Sequence, residues 1–172
     1  MNTLSESEIA LVIGEATELF KHVAILADGR SGCYLCLGDK KTGAPMLIVR
    51  FGDILLPEKA SAYLNNAQEK CRRVVQTKTD LASETKLEKE RYAGAVRGDS
   101  AIYGVSGYPE YLDEAAMLIL AVRCADLGRR WPQGTWPTKA KIHTSRGFGI
   151  WPCHPVPCLI RPSNPISVGF FC

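Results

Sequence analysis

The stretch IYGVSGYPEYLDEAAMLILAV, residues 102–122, joins a glycine-rich apolar run to an acidic helix start and a second apolar run. How its turn, Gly104-Val105-Ser106-Gly107, is read decides the fold and most of the function. A nucleophile elbow places glycine two residues after its serine, so that a strained turn presents the hydroxyl. Here Ser106 is followed by Gly107 and then Tyr108, and the three histidines, His22, His143 and His154, are remote in sequence. A phosphate cradle needs open backbone N–H groups at a helix N-terminus. Pro109 removes one donor, and Glu110, Asp113 and Glu114 fill the first turns with negative charge that repels an anion. No Gly-Lys-Ser/Thr follows, so a P-loop is excluded. The turn reads as a corner between strand and helix. Gly104 and Gly107 allow the bend, and Ser106 is placed to cap the helix.

Upstream, Tyr92–Gly98 and Ala101–Gly107 flank Gly98-Asp99-Ser100 and read as a hairpin, with a helix following over about 109–127. At the other end, Ser5 and Glu8 form a capping box before apolar residues at Ile9, Val12, Ile13, Ala16, Leu19 and Phe20, which predicts a helix over 6–21. HVAILAD (22–28), CYLCLG (33–38) and PMLIVRF (45–51) read as three strands of an antiparallel meander, joined by Asp-Gly and Lys-Thr-Gly turns. Pro57 suits the first position of a second helix, whose apolar stripe Tyr63, Leu64, Ala67, Cys71, Val74 and Val75 extends to about Thr77. Residues 78–91 are rich in Glu and Lys and read as a solvated surface segment. Strands in runs, without alternating βαβ units, give an α+β class: a five-stranded antiparallel sheet with about three packing helices.

The chain of 172 residues carries a net charge of +3 that is unevenly spread. Up to Gly128 there are 15 Lys and Arg against 18 Asp and Glu, whereas from Arg129 onward there are six basic residues and no acid. The body is mildly acidic, without the basic face a nucleic-acid binder needs. Residues 129–172 hold Trp131, Trp136 and Trp151, seven of the ten prolines, and His143 and His154. The expected organisation is a domain over 1–128 and a basic Pro/Trp/Cys-rich C-terminal extension over 129–172. Such proline density forbids a long helix or central strand and suits equally an extended arm, pinned by its tryptophans to the body or to another subunit, and a lineage-specific extension with no catalytic part. No apolar run is long enough to cross a bilayer, and the acidic N-terminal stretch does not read as a signal peptide. With seven cysteines, an odd count, reduced thiols and a cytoplasmic location are expected.

Three features together resemble the GlcG/HbpS-like family, which includes haem-binding proteins and the C-terminal domain of PduO-type proteins. These are the glycine-containing hairpin Ala93–Gly98, the turn Gly104-Val105-Ser106-Gly107, and the pair Asp113-Glu114 opening the last helix. Further upstream, Asp28-Gly29 after a strand and the Ala-x-x-Lys-Cys stretch Ala67–Cys71 fit the same order. The resemblance covers roughly residues 9–128. It departs at Arg91-Tyr92-Ala93-Gly94-Ala95, where the family has a Gly-Gly-x-Pro-Ile approach. It implies a profilin-like α/β/α body that assembles into homo-oligomers, with haem or corrinoid as the ligand class.

Among single residues, His22 is the candidate haem ligand, an imidazole at an element junction. The competing reading of His22 is an ordinary hydrogen-bonded junction residue. Cys33 and Cys36 have C-x-x-C spacing but fall in a strand, where positions three apart face opposite sides, so core packing is expected over redox or metal chemistry. Cys153 and Cys158 flank His154 without the second ligand pair of a zinc knuckle. Tyr103, Tyr108 and Tyr111 are expected to cover the helix start or a subunit contact. Three functions stay open: a non-catalytic, self-assembling small-ligand binder or sensor for haem or corrinoid; a small-metabolite enzyme using Ser106 or Asp113; and an assembly module whose C-terminal extension latches a neighbour.

Overall fold

The computed structural model describes residues 4–85 and 92–127. The elements run α1 (Glu6–Leu26), β1 (Cys33–Asp39), β2 (Pro45–Phe51), α2 (Pro57–Thr77), a 3-10 turn (Ala82–Glu84), β3 (Ala95–Arg97), β4 (Ala101–Ser106) and α3 (Glu110–Arg123). The expected extension over 129–172, and with it the latch, lies outside the described residues.

α1 begins on the capping box anticipated above. Ser5 N–H donates to Glu8 Oε2 at 2.8 Å and Glu8 N–H donates to Ser5 Oγ at 3.3 Å, satisfying two open helix donors. The helix does not stop at Lys21. The segment His22–Leu26, expected as a strand, is its last turn. Val12, Ala16, Leu19, Phe20 and Val23 are buried at helical spacing, while Ile25 and Leu26 are 80% and 67% exposed. Periodicity over the full length therefore outweighs a short apolar run, which by itself suits either structure.

The loss of that strand changes the sheet. Among the described residues it has four strands, all antiparallel, in the order β2-β1-β4-β3. The expected five-stranded sheet with a three-stranded meander is replaced by two hairpins, β1-β2 and β3-β4, joined through β1 and β4. In the first hairpin the Asp39 carboxylate accepts from the N–H groups of Lys41 (3.0 Å) and Thr42 (2.9 Å). In the second, Asp126, just beyond α3, accepts from Ser100 N–H and Oγ, both at 2.7 Å, and from Ala101 N–H at 3.2 Å. A carboxylate borrowed from elsewhere thus closes a turn whose own donors would otherwise be unpaired.

Alternation along the central strands builds two cores. On one face Cys33, Leu35, Leu37, Val96, Tyr103 and Val105 pack with residues of α1 and α3. On the other, Cys36, Ala95 and Ile102 pack with Ala67, Cys71 and Val74 of α2. The result is a three-layer α/β/α arrangement with α2 alone on one side. Cys33 and Cys36 lie in different cores, as strand geometry requires. Tyr103 and Tyr108 are also buried in the body, whereas Tyr111 is exposed.

The two sheet margins differ. Beside β3, Leu81 forms an isolated bridge with Val96, and Arg97 N–H donates to Asp80 O at 2.8 Å. Beside β2, no described strand pairs with the outer backbone groups.

Candidate functional site

Gly104 sits where α2 presses closest to the sheet. A Cβ there would lie 2.5 Å from Cys71 Sγ and 2.9 Å from Ala67 O, so no other residue fits without displacing the helix. Three residues later Gly107 adopts φ +154, packed against Gly32 and Cys33. Between them Ser106 ends β4 and is 5% exposed. It does not cap α3, contrary to expectation. The N-cap position is Pro109, which has no side-chain cap, and Asp113 reaches back instead, its Oδ1 accepting from Tyr108 N–H at 3.1 Å. Phe20 stacks at 6.0 Å from the Tyr108 ring, fixing the turn against α1.

Asp113 has a second partner. Lys70 Nζ, from α2 on the opposite side of the sheet, lies 2.9 Å from Asp113 Oδ2 and also donates to Val105 O at 2.8 Å. Both side chains are 2% exposed. They meet past the start of β3 through a gap that Gly94 leaves: a Cβ at Gly94 would fall 2.7 Å from Asp113 Cβ and 2.8 Å from Lys70 Nζ. Burial pushes the Asp113 carboxyl up to about 6, against the opposing pull of Lys70 and of the Tyr108 N–H. Two charges buried together contribute little net stability. What the pair achieves is position, since Val105 O and Tyr108 N–H on either side of the turn are both held by it. Glu114, the next residue, accepts from Ser83 N–H at 3.0 Å. The turn, the Ala67–Cys71 stretch and the Asp113-Glu114 pair, separated in sequence, are one contact cluster in space.

Gly107 also forms part of the wall of a cavity of about 330 Å³, open on one side. The segment after α1 (Gly29, Arg30, Ser31, Gly32), the β2–α2 loop (Asp53, Ile54, Leu55, Leu56), and Lys59 and Tyr63 of α2 complete it. Ser31 Oγ donates to Asp53 O at 3.0 Å and ties the two loops. Asp28 and Gly29, which follow a helix rather than the expected strand, turn with φ values of +50 and +81. Leu55 and Leu56 are 77% and 44% exposed at the mouth. This volume is at the small end of ligand pockets, which run from about 300 to 1,000 Å³.

His22 lies on the exposed side of α1 and is not one of the cavity's lining residues. His143 and His154 lie outside the described residues. Among the described residues no hydrogen bond joins Ser106 or Asp113 to an imidazole, and Asp113 is committed to Lys70 and Tyr108. No group of three or more His, Cys, Asp or Glu among the described residues is arranged to hold a metal ion. No described helix is long and apolar enough to cross a membrane. Sequence reasoning passed over Lys70, Arg30, Lys59 and Tyr63. Lys70 was visible only as part of the Ala67–Cys71 stretch, and Tyr63 only as one residue of an apolar stripe.

No protein-family model matches the chain, and no curated protein matches it. Among solved structures, a PduOC:heme complex is similar in fold, with a TM-score of 0.51 and 15% sequence identity, covering 71% of this chain and 95% of that one. The likeness is one of fold alone.

Proposed function

We propose that this protein is a small-ligand binder or sensor of the GlcG/HbpS-like kind, self-assembling and non-catalytic, with haem or a corrinoid as its ligand. The observation that carries the reading is the cavity formed at Gly107 by the two loops and the start of α2. Support comes from the fold, which resembles that of a protein crystallised with haem. Its exposed apolar rim and cationic side chains also suit a flat macrocycle bearing carboxylates.

His22 is the proposed iron ligand. Because it does not line the cavity, His22 would hold the iron from α1 of another copy, while the cavity would take part of the macrocycle. Haem, when bound, would supply a redox-active and ligand-binding iron. The protein's own residues would supply the apolar surface, the cations and the imidazole.

Adding haemin to the purified chain tests this. A Soret shift, altered by His22→Ala, together with a mass by light scattering above that of one chain, is the expected result. Absence of any spectral change with haemin and with a corrinoid would end the ligand reading, and a single-chain mass would end the assembly reading.

A further inference from the structure

The charges around the cavity are uneven. Arg30 on one loop and Lys59 in the first turn of α2 both line it and both are exposed. Neither makes an ion pair with a described residue. The acid in the wall, Asp53, is 3.8 Å from Arg50, and its side chain is 90% exposed. Glu58, beside Lys59, is not a lining residue. The same cavity is lined by Ile54, Leu55, Leu56 and Tyr63, of which Leu55 and Leu56 are exposed. Two cations and four apolar side chains lining one cavity suit an amphipathic anion: the apolar side chains take a flat hydrocarbon surface, and the guanidinium and ammonium take carboxylates.

We infer that Arg30 and Lys59 recognise the carboxylate arms of a flat apolar ligand lying on Leu55, Leu56 and Tyr63. The inference rests on the ligand-binding reading above and adds what the site selects. Recognition is led by the carboxylates, with the metal centre secondary. The volume agrees with this, since about 330 Å³ houses the carboxylate-bearing edge of a macrocycle and leaves the remainder on the exposed Leu55 and Leu56. Arginine grips one carboxylate with paired N–H donors, whereas lysine acts as a point charge, so the two cations hold two arms without competing for the same geometry.

Metal-free protoporphyrin IX, which keeps both carboxylates, and its dimethyl ester, which has lost both charges, separate the contributions. Fluorescence titration should give protoporphyrin IX an affinity within a few-fold of haemin. The ester should bind at least about ten-fold more weakly, and Arg30→Gln and Lys59→Gln should each weaken protoporphyrin IX by about ten-fold, the loss of one charged hydrogen-bonding partner. Both positions are exposed, and unchanged circular dichroism should show that the variants fold. Haemin binding without protoporphyrin IX binding, equal affinity for acid and ester, or unaffected glutamine variants would overturn carboxylate-led recognition while leaving haem binding standing. Failure of haemin and protoporphyrin IX alike would remove both.

Discussion

Lys70 Nζ lies 2.9 Å from Asp113 Oδ2 across the start of β3, linking helices that pack on opposite faces of the sheet. The two residues are 43 positions apart, and the same ammonium holds Val105 O. Removing only the cation leaves a carboxylate in a dry site. Lys70→Met should therefore cost about 3 kcal/mol or more in urea unfolding at neutral pH. Replacing both partners with apolar residues, Lys70→Met with Asp113→Leu, should recover most of that loss. A double variant as unstable as the single one would show that the site needs its charges.

The raised carboxyl gives a pH signature opposite to that of an ordinary surface acid. Folding lifts Asp113 from the usual value of about 3.9 to about 6, so the native state holds the proton more tightly than the unfolded chain. Its stabilising contribution is complete below about pH 4 and is lost as pH rises through about 6. Measured against Asp113→Asn, which cannot titrate, the parent protein should lose relative stability between about pH 4 and 6 and then level off. Chemical denaturation of both proteins at several pH values reads this directly, and a relative gain over that interval would contradict it.

Two glycines should respond to alanine with opposite signs. Gly14 lies on the exposed side of α1 with open space around the position of a Cβ. Gly14→Ala should stabilise by about 0.5–1 kcal/mol through helix propensity. Gly104→Ala drives a methyl into Cys71 Sγ and toward Ala67 O. It should destabilise by about 1–3 kcal/mol, the usual range for overpacking, with partial recovery when combined with Cys71→Ala. Thermal melts of the four proteins suffice.

Thiol reactivity should follow the layers. Cys33 is fully buried and its thiol is held well above the usual range by burial, and Cys71 is likewise raised by its contact with Cys36 and by burial. Cys124 is half-buried and pushed up to about 11. Alkylation of native protein at pH 8, followed by peptide mass spectrometry, should find Cys33 and Cys71 unmodified while they label readily in urea. Cys124 should label slowly. Rapid native modification of Cys33 would mean that its core opens frequently.

The boundaries of α2 were legible because Pro57 opens the helix and its apolar stripe ends with Val74 and Val75, just before Thr77. Both hairpin turns were legible for similar reasons. The end of α1 was not, since Val23, Ala24, Ile25 and Leu26 are all apolar and only the sheet decides which of them faces inward. Without that element the strand order could not be read correctly. Of the candidate site, the corner at Gly104–Gly107 was legible from its glycines. Nothing local linked Lys70 to Asp113, and nothing brought Arg30 near Lys59. Those meetings depend on how α2 lies across the sheet, a long-range result that no spacing rule encodes.

The unequal treatment of the two outermost strands limits how copies can join through the sheet. With Asp80 and Leu81 lying alongside β3, only β2 offers vacant backbone donors and acceptors to another chain among the described residues. Two molecules meeting β2 to β2 would join the outer margins to which no described strand is paired, so among the described residues ribbon growth would halt at a pair instead of propagating into a filament.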